Sequence, residues 1–332
     1  PTQIWTQGET ESSSCWFPTI DKPNQKTTQE IYMTVPKQYV TLSNGILKSS
    51  ENLGENLRTD HWVMDKKHAP YLFFMGVGEY AVIKDKWRNI DVDYYVEKEY
   101  EPYAKQIFGN TPEMIEFFSK KLNYDFPWQK YAQIVGRDYV SGAMENTTAV
   151  IHEESAQQKA GDLADENKWE DVIAHELFHH WFGDLVTAES WSNLTVNESF
   201  ADYSEYLWNE YKYGKDQADY WLMKSLKTSK ADPKNFTKDL VRFDYHDRED
   251  MFDGVSYNKG GGILHMLRNY LGDDAFFAGL TDYLKTNEYS TGEAHQLRLS
   301  LEKISGKDLN WFFNQWYFGS GYPKLEVSST YD

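Results

Sequence analysis

The sequence is short of cysteine, of basic residues and of long hydrophobic runs. Its single cysteine, Cys15, has no partner for an intramolecular disulfide and excludes metal sites made only of cysteine. Lys and Arg number 34 against 52 Asp and Glu, and at a net charge of −18 the chain would be repelled by a nucleic-acid backbone. The most apolar stretch, residues 71–77, is far shorter than the roughly 18 residues of a membrane span. We expect no nucleic-acid partner and no membrane span, and the compartment stays open between cytoplasm and periplasm.

Strand-forming segments dominate the first part of the chain, and helical periodicity dominates the rest. Residues 31–35, 39–42 and 71–75 are rich in β-branched and aromatic side chains, and turn residues separate them. A further short strand is predicted over 131–135. Glycines follow several helical segments where C-terminal caps belong. The predicted helices are 112–122, 171–186, 197–213, 217–229, 259–271, 275–287, 294–305 and 309–318.

This order of elements predicts an α+β fold with a domain boundary near residue 98. Residues 1–98 form a β-rich part, and residues 99–320 form a mainly helical domain. Residues 321–332 return to strand character at Leu325-Glu326-Val327 and are interpreted as the start of a further β segment.

The strongest chemical signal is the segment His175-Glu176-Leu177-Phe178-His179 inside an apolar helical run. Two histidines at i and i+4 share one helix face, so both imidazoles reach one ion. Glu176 projects beside the ion rather than onto it, where a general base can take a proton from a water ligand. Taken alone, the pattern also fits two ordinary histidines on an amphipathic helix.

The next predicted helix strengthens the metal interpretation. Glu198 follows near its start and can supply a third ligand. Two histidines and one carboxylate leave one position open for water, which is typical of catalytic rather than structural zinc sites. Asp202 lies one turn further on the same face, and we expect it to accept the second N–H of a ligand histidine. An ordinary solvated aspartate is the alternative for Asp202.

Two further segments flank this pattern. Gly142 and Ala143 let a backbone approach a substrate closely, and Glu145 offers a carboxylate beside them. Tyr257 precedes a run of three glycines that matches neither a P-loop nor a dinucleotide motif. Its phenol can stabilise a developing oxyanion. Each segment alone fits an ordinary turn or a packed loop.

With these residues assembled, the chain resembles the zinc aminopeptidase family of aminopeptidase N and leukotriene hydrolase, a gluzincin group. Six pieces occur in the family order and together span nearly the whole chain. They are Thr6-Gln7-Gly8-Glu9 with Trp16-Phe17-Pro18, Gly142 to Asn146, His175 to Gly183, Asn197 to Tyr203, Tyr257 to Gly260, and Phe312 to Trp316 with Gly321-Tyr322-Pro323.

The resemblance implies a thermolysin-like catalytic domain behind a β-rich N-terminal domain. It implies one Zn²⁺ per chain, held by His175, His179 and Glu198, and peptide substrates with a free N-terminus. We also expect the chain to be trimmed at both ends relative to the family, without the first part of the β domain and without C-terminal domains.

The resemblance further assigns the substrate-binding residues. Glu145 and Glu9 would bind the α-amino group of the peptide, with help from Glu198. Gly142 and Ala143 would present backbone groups to the peptide, while Met144 and Gln7 would line the pocket for the first side chain. Glu176 would act as general base and Tyr257 as oxyanion stabiliser.

Three other functions stay open at this point. A thermolysin-like endopeptidase shares the zinc pattern but does not need the amine-binding carboxylates. A bifunctional hydrolase would also open an epoxide. A zinc-binding but inactive fragment would keep the metal without turnover.

Overall fold

The chain folds into a β-rich first part and a helical second part. The structure is a computed structural model that describes residues 2–331. This arrangement confirms the predicted α+β class. The strands are β1 Gln3–Trp5, β2 Thr27–Pro36, β3 Val40–Ser43, β4 Ile46–Leu53, β5 Leu57–His68, β6 Met75–Gly78, β7 Tyr80–Trp87, β8 Ile90–Glu97, β9 Lys130–Gly136, β10 Ala143–Met144, β11 Ala149–Glu153, β12 Val186–Ala188 and β13 Ser290–Gly292. The α-helices are α1 Ala104–Phe108, α2 Thr111–Lys121, α3 Glu170–Phe178, α4 Thr195–Tyr213, α5 Lys215–Ser229, α6 Gly260–Leu271, α7 Asp273–Asn287, α8 Ala294–Ser305 and α9 Asn310–Trp316.

A five-stranded sheet in the order β10-β11-β9-β8-β7 separates two hydrophobic cores. Its three central strands are parallel, and β7 and β10 pair antiparallel at the two edges. Successive side chains of a strand point to opposite faces. On β8, Tyr94 therefore packs into the core shared with the helices, and Tyr95 packs into the core shared with the first strands. Both faces are covered, which explains why β9 is buried along its whole length although it carries Lys130 and Gln133.

Two three-stranded sheets complete the β-rich part, in the orders β1-β6-β3 and β2-β5-β4. The five-stranded sheet takes β7 and β8 from before residue 98 and pairs β8 with β9 after it. The boundary near residue 98 stays a prediction, and this sheet extends across it. Within the described residues, 321–331 form no strand, because the segment around Val327 has no strand beside it to pair with.

Two predicted elements differ from the observed ones. The helix expected to run to residue 186 ends at Phe178, and the chain turns through Gly183 (φ 142°) into β12, which pairs with β13. Residues 179–188 are all buried, so their apolar pattern could not distinguish a buried turn from a continued helix. The strand expected at 71–75 begins only at Met75, since Pro70–Leu72 form a 3-10 turn. Among the helices of the described residues, none has the length and hydropathy of a membrane span.

A hydrogen bond from the backbone of Gly45 connects the β-rich part to the segment that follows Asn146. Gly45 has φ 75°, and its N–H donates to Thr148 Oγ1 at 2.8 Å. A Cβ at this position would lie 1.9 Å from the carbonyl oxygen of Val63. The position therefore requires both a left-handed backbone and the absence of a side chain.

We expect Gly45→Ala to lower the free energy of unfolding by more than about 2 kcal/mol, because backbone strain and a backbone clash add. The matched control is Gly54→Ala, which has φ 73° but open space around its Cβ. The control should lose only about 1 kcal/mol. Urea unfolding of both variants measures the difference, and equal losses would contradict the packing described here.

Candidate active site

Helices α3 and α4 pack against each other and bring three ligand-type side chains to one point. His175 lies in the last turn of α3, His179 caps that helix one turn later, and Glu198 lies in the first turn of α4. Glu198 Oε2 is 3.3 Å from His175 Nε2 and 3.4 Å from His179 Nε2. The three expected ligands are thus brought together at the contact between two helices.

The spacing of these atoms fits a tetrahedral ion. Ligands at the bond lengths of zinc, about 2.0–2.1 Å, stand about 3.3–3.4 Å apart around a tetrahedron. The buried Nε2 of His179 has no hydrogen-bond partner among the described residues. A buried imidazole nitrogen that has no hydrogen-bond partner and lies near a carboxylate is well placed to be a metal ligand. The donor set therefore suits Zn²⁺.

The charges of the cluster depend on one another. Burial alone would lower the pKa of His179, but Glu145 and Glu198 outweigh it and raise that pKa to about 10. Burial alone would raise the pKa of Glu198, but His179 and His175 lower it to about 2. Without an ion, the protons on the histidines balance the buried carboxylate. A divalent cation would replace those protons.

The outer nitrogens of both histidines are fixed by other groups. His175 Nδ1 donates to Glu205 Oε1 at 2.9 Å, and His179 Nδ1 donates to the carbonyl oxygen of Phe182 at 3.0 Å. The expectation that Asp202 takes this role is wrong. Asp202 Oδ1 instead accepts from Asn258 Nδ2 at 2.9 Å, because its turn of α4 faces the segment before α6.

Glu176 lies beside the cluster, as its place on α3 predicts. It is buried, and its Oε2 has no hydrogen-bond partner among the described residues. Burial raises its pKa to about 8, and Glu145 and Glu198 contribute to the rise. A carboxylate with a raised pKa and a free oxygen is suited to accepting and returning a proton near neutral pH.

A second cluster of carboxylates shares Glu198. Carboxylate oxygens of Glu9, Glu145 and Glu198 lie within 4.8 Å of one another. Burial raises the pKa of Glu9, and repulsion by Glu145 adds to it. Tyr71 lies 3.4 Å from Glu145 through its hydroxyl, which donates to that carboxylate. Converging carboxylates of this kind form a binding place for a compact cation.

The edge strand β10 borders the site. Gly142 has open space around its Cα, and Ala143 pairs with His152 of β11 on one side only. The free edge can pair with an extended peptide. Gln7 lines the cavity as expected, but Met144 does not. Met144 is buried in the β-rich core and receives a hydrogen bond from Gln7 Nε2 at 3.5 Å, so it supports Gln7 from behind.

Tyr257 faces the cluster from a π-helical turn over Val255–Lys259. Its ring stacks on His175 with centroids 6.0 Å apart. Burial raises its pKa well above the usual value, and Glu198 and Glu9 add to the rise, so the hydroxyl keeps its proton and can donate it in a hydrogen bond. The glycines after it serve packing, since a Cβ on Gly260 would lie 1.9 Å from Ser199 Oγ of α4.

The three expected metal ligands, both carboxylate clusters, the β10 edge and Tyr257 line one cavity of about 510 Å³. Two carboxylates that line this cavity, those of Glu205 and Glu249, were not predicted from the sequence. Glu205 could have been found, because it lies seven residues after Glu198 on the same helix face. Glu249 gave no signal, since it comes from a separate turn over Arg248–Met251. The acidic residues that line the cavity are Glu9, Glu145, Glu176, Glu198, Glu205 and Glu249.

Comparison with known proteins agrees with this geometry. The model of the Peptidase family M1 domain matches residues 107–316, and that of the Peptidase M1 N-terminal domain matches residues 1–72. The first match covers more than half of the 332 residues.

Individual relatives cover nearly the whole chain. It is 29% identical to the leucyl aminopeptidase of Saccharolobus solfataricus over 98% of this chain and 42% of the relative. It is also 29% identical to aminopeptidase M1 of Arabidopsis thaliana over 97% of this chain and 37% of the relative. It is also 29% identical to tricorn protease-interacting factor F2 of Thermoplasma volcanium, over 98% of this chain and 42% of the relative. The chain thus spans about two fifths of the length of these relatives. It belongs to the peptidase family M1.

Proposed function

We propose that the chain is the catalytic part of a zinc aminopeptidase that removes the N-terminal residue of peptides. One observation carries this proposal. The two-histidine, one-glutamate cluster shares Glu198 with the carboxylate cluster of Glu9 and Glu145. A peptide whose ammonium group lies between those carboxylates has only its first peptide bond beside the metal ligands.

His175, His179 and Glu198 would hold one zinc ion. When bound, zinc supplies Lewis-acid chemistry that lowers the pKa of a water ligand and polarises a carbonyl group. Glu205 and the carbonyl oxygen of Phe182 keep the two imidazoles oriented with Nε2 toward Glu198, as zinc binding would require.

Glu176 moves the protons of the reaction. Its free Oε2 takes a proton from the attacking water and then delivers it to the leaving amine. The burial and the neighbouring carboxylates that raise its pKa make this return favourable at neutral pH.

Tyr257 and β10 orient the scissile carbonyl from two sides. The hydroxyl of Tyr257 donates to the carbonyl oxygen as negative charge develops on it. The free edge of β10 at Gly142 and Ala143 holds the peptide backbone extended through main-chain hydrogen bonds. The first peptide bond is thereby fixed for attack.

Glu9 and Glu145 decide where the peptide is cut. Burial raises the pKa of both carboxyl groups, and repulsion adds to the rise, from Glu145 at Glu9 and from Glu198 at Glu145. A bound ammonium group relieves that repulsion, whereas an acetylated N-terminus offers no charge to relieve it.

Two fluorogenic peptides that differ only in a free or an acetylated N-terminus test this function. We expect release from the free peptide alone, and loss of release when a zinc chelator is added. Re-addition of Zn²⁺ to the chelated protein is the control, because it separates metal removal from denaturation. Cleavage of the acetylated peptide would move the assignment to an endopeptidase, and no cleavage of either would contradict turnover by this chain.

The role of Glu205 is tested with Glu205→Gln. An amide accepts the histidine N–H more weakly than a carboxylate, so we expect a 10- to 100-fold loss of zinc affinity. Asp202→Asn is the matched control, since it removes a carboxylate on the same face of α4 that does not contact a ligand histidine. Competition against a chromophoric chelator measures both affinities. A larger loss in the control than in Glu205→Gln would restore the sequence-based role of Asp202.

A further inference from the structure

We propose that Glu249 selects peptides whose first residue is lysine or arginine. This inference rests on the proposed aminopeptidase function and names the class of N-terminal residue that the site prefers. Glu249 is the one acidic group among the described lining residues that the mechanism above does not use. The others act on the metal, on the proton or on the α-amino group.

Six glutamates line the cavity, and the two histidines beside them are the expected metal ligands. Neither lysine nor arginine occurs among the described residues that line it. The ammonium of the peptide would meet Glu9, Glu145 and Glu198, and the last two of these are buried. Glu249 lies near Glu9, whose pKa its charge also raises, but it is exposed to solvent at the rim. It thus offers a second anionic point for a substrate that carries a second cation.

The carboxylate of Glu249 is held next to the amine cluster. Thr10 Oγ1 donates to Glu249 Oε1 at 2.7 Å, and Thr10 directly follows Glu9 in the chain. Arg248 Nε donates in turn to Thr10 Oγ1 at 2.8 Å. Nevertheless, Glu249 forms no ion pair within residues 2–331, because the Arg248 guanidinium pairs with Glu11 at 3.6 Å. The carboxylate of Glu249 is therefore held in place by Thr10, without a direct ion pair to Arg248.

The first side chain of the peptide is the group that reaches Glu249. The α-amino group and the side chain of the first residue are attached to the same Cα. When the amine is bound at Glu9, the side chain therefore starts close to Glu9. Later residues follow the backbone past the metal ligands and away from Glu9. The aromatic ring of Phe252 and the side chain of Val140 line the same cavity and can cover the methylene stem of a long side chain. Phe252 also offers a ring face to a guanidinium.

The rim position favours lysine and arginine for a second reason. A cation that ends at an exposed carboxylate keeps part of its hydration, so binding does not require the full desolvation of a buried ion pair. An acidic first residue would meet like charge there, and we expect it to be the poorest substrate.

The test compares fluorogenic aminoacyl substrates of arginine, lysine and norleucine, the last having a side chain of similar length without charge. We expect Glu249→Gln to lower kcat/KM about tenfold for arginine and lysine and less than about twofold for norleucine, as for the loss of one charged hydrogen bond. Asp244→Asn is the matched control. It removes an exposed carboxylate from the same loop that lines a different cavity, and it should shift none of the three values.

A binding measurement separates this inference from the proposed function. Calorimetric titration of argininamide and norleucinamide into the Glu176→Gln variant needs no turnover. Adding Glu249→Gln to that variant should weaken argininamide about tenfold and leave norleucinamide nearly unchanged. An equal loss for both ligands would assign Glu249 to the α-amino group, and no loss for either would remove it from binding; each result overturns the inference. Absence of turnover in every substrate, with selective argininamide binding retained, would overturn the proposed function alone.

Discussion

The packing of α3 against α4 is the contact on which the rest of the site depends. It places Glu198 within 3.3–3.4 Å of the Nε2 atoms of His175 and His179. A buried carboxylate is costly unless a cation or several donors face it, and here the two imidazoles do so. The glycine run at the start of α6 lets that helix approach α4 closely, with Gly260 against Ser199. The helices thus hold the donors in place before any ion binds.

The glutamates of this cavity differ in pKa because their surroundings differ, and this suits them to the different tasks proposed for them. Glu198 faces two histidines, which lower its pKa to about 2 although burial opposes them. Glu176 lies in the same cavity with one oxygen unpartnered, and burial raises its pKa to about 8. Because their surroundings shift the two pKa values in opposite directions, Glu198 is suited to remain an anion and Glu176 is suited to exchange a proton. Glu9 and Glu145 form a third environment, in which mutual repulsion favours a bound ammonium group.

Helical periodicity predicted the expected metal ligands and Glu176, whereas the amine-binding role of Glu9 and Glu145 came from the family resemblance. The spacing of His175 and His179 places both on one face of any helix. Glu198 lies near the start of the next predicted helix, where its carboxylate can supply a third ligand. Periodicity could not decide between Asp202 and Glu205, which share a face of α4, because the crossing of α3 over α4 determines which one meets His175. It also could not show that α3 ends at Phe178, nor that the turn carrying Glu249 docks on Thr10, since both depend on contacts far apart in sequence.

The separate roles of Glu176 and Glu198 are the central claim, and zinc content measured together with turnover in Glu176→Gln and Glu198→Gln tests it most directly. We expect the first variant to keep one zinc ion per chain while turnover falls by about 10²–10⁴. We expect the second to lose zinc, because a neutral amide removes the anion that faces both imidazoles. Loss of zinc in Glu176→Gln, or native zinc affinity in Glu198→Gln, would contradict the account.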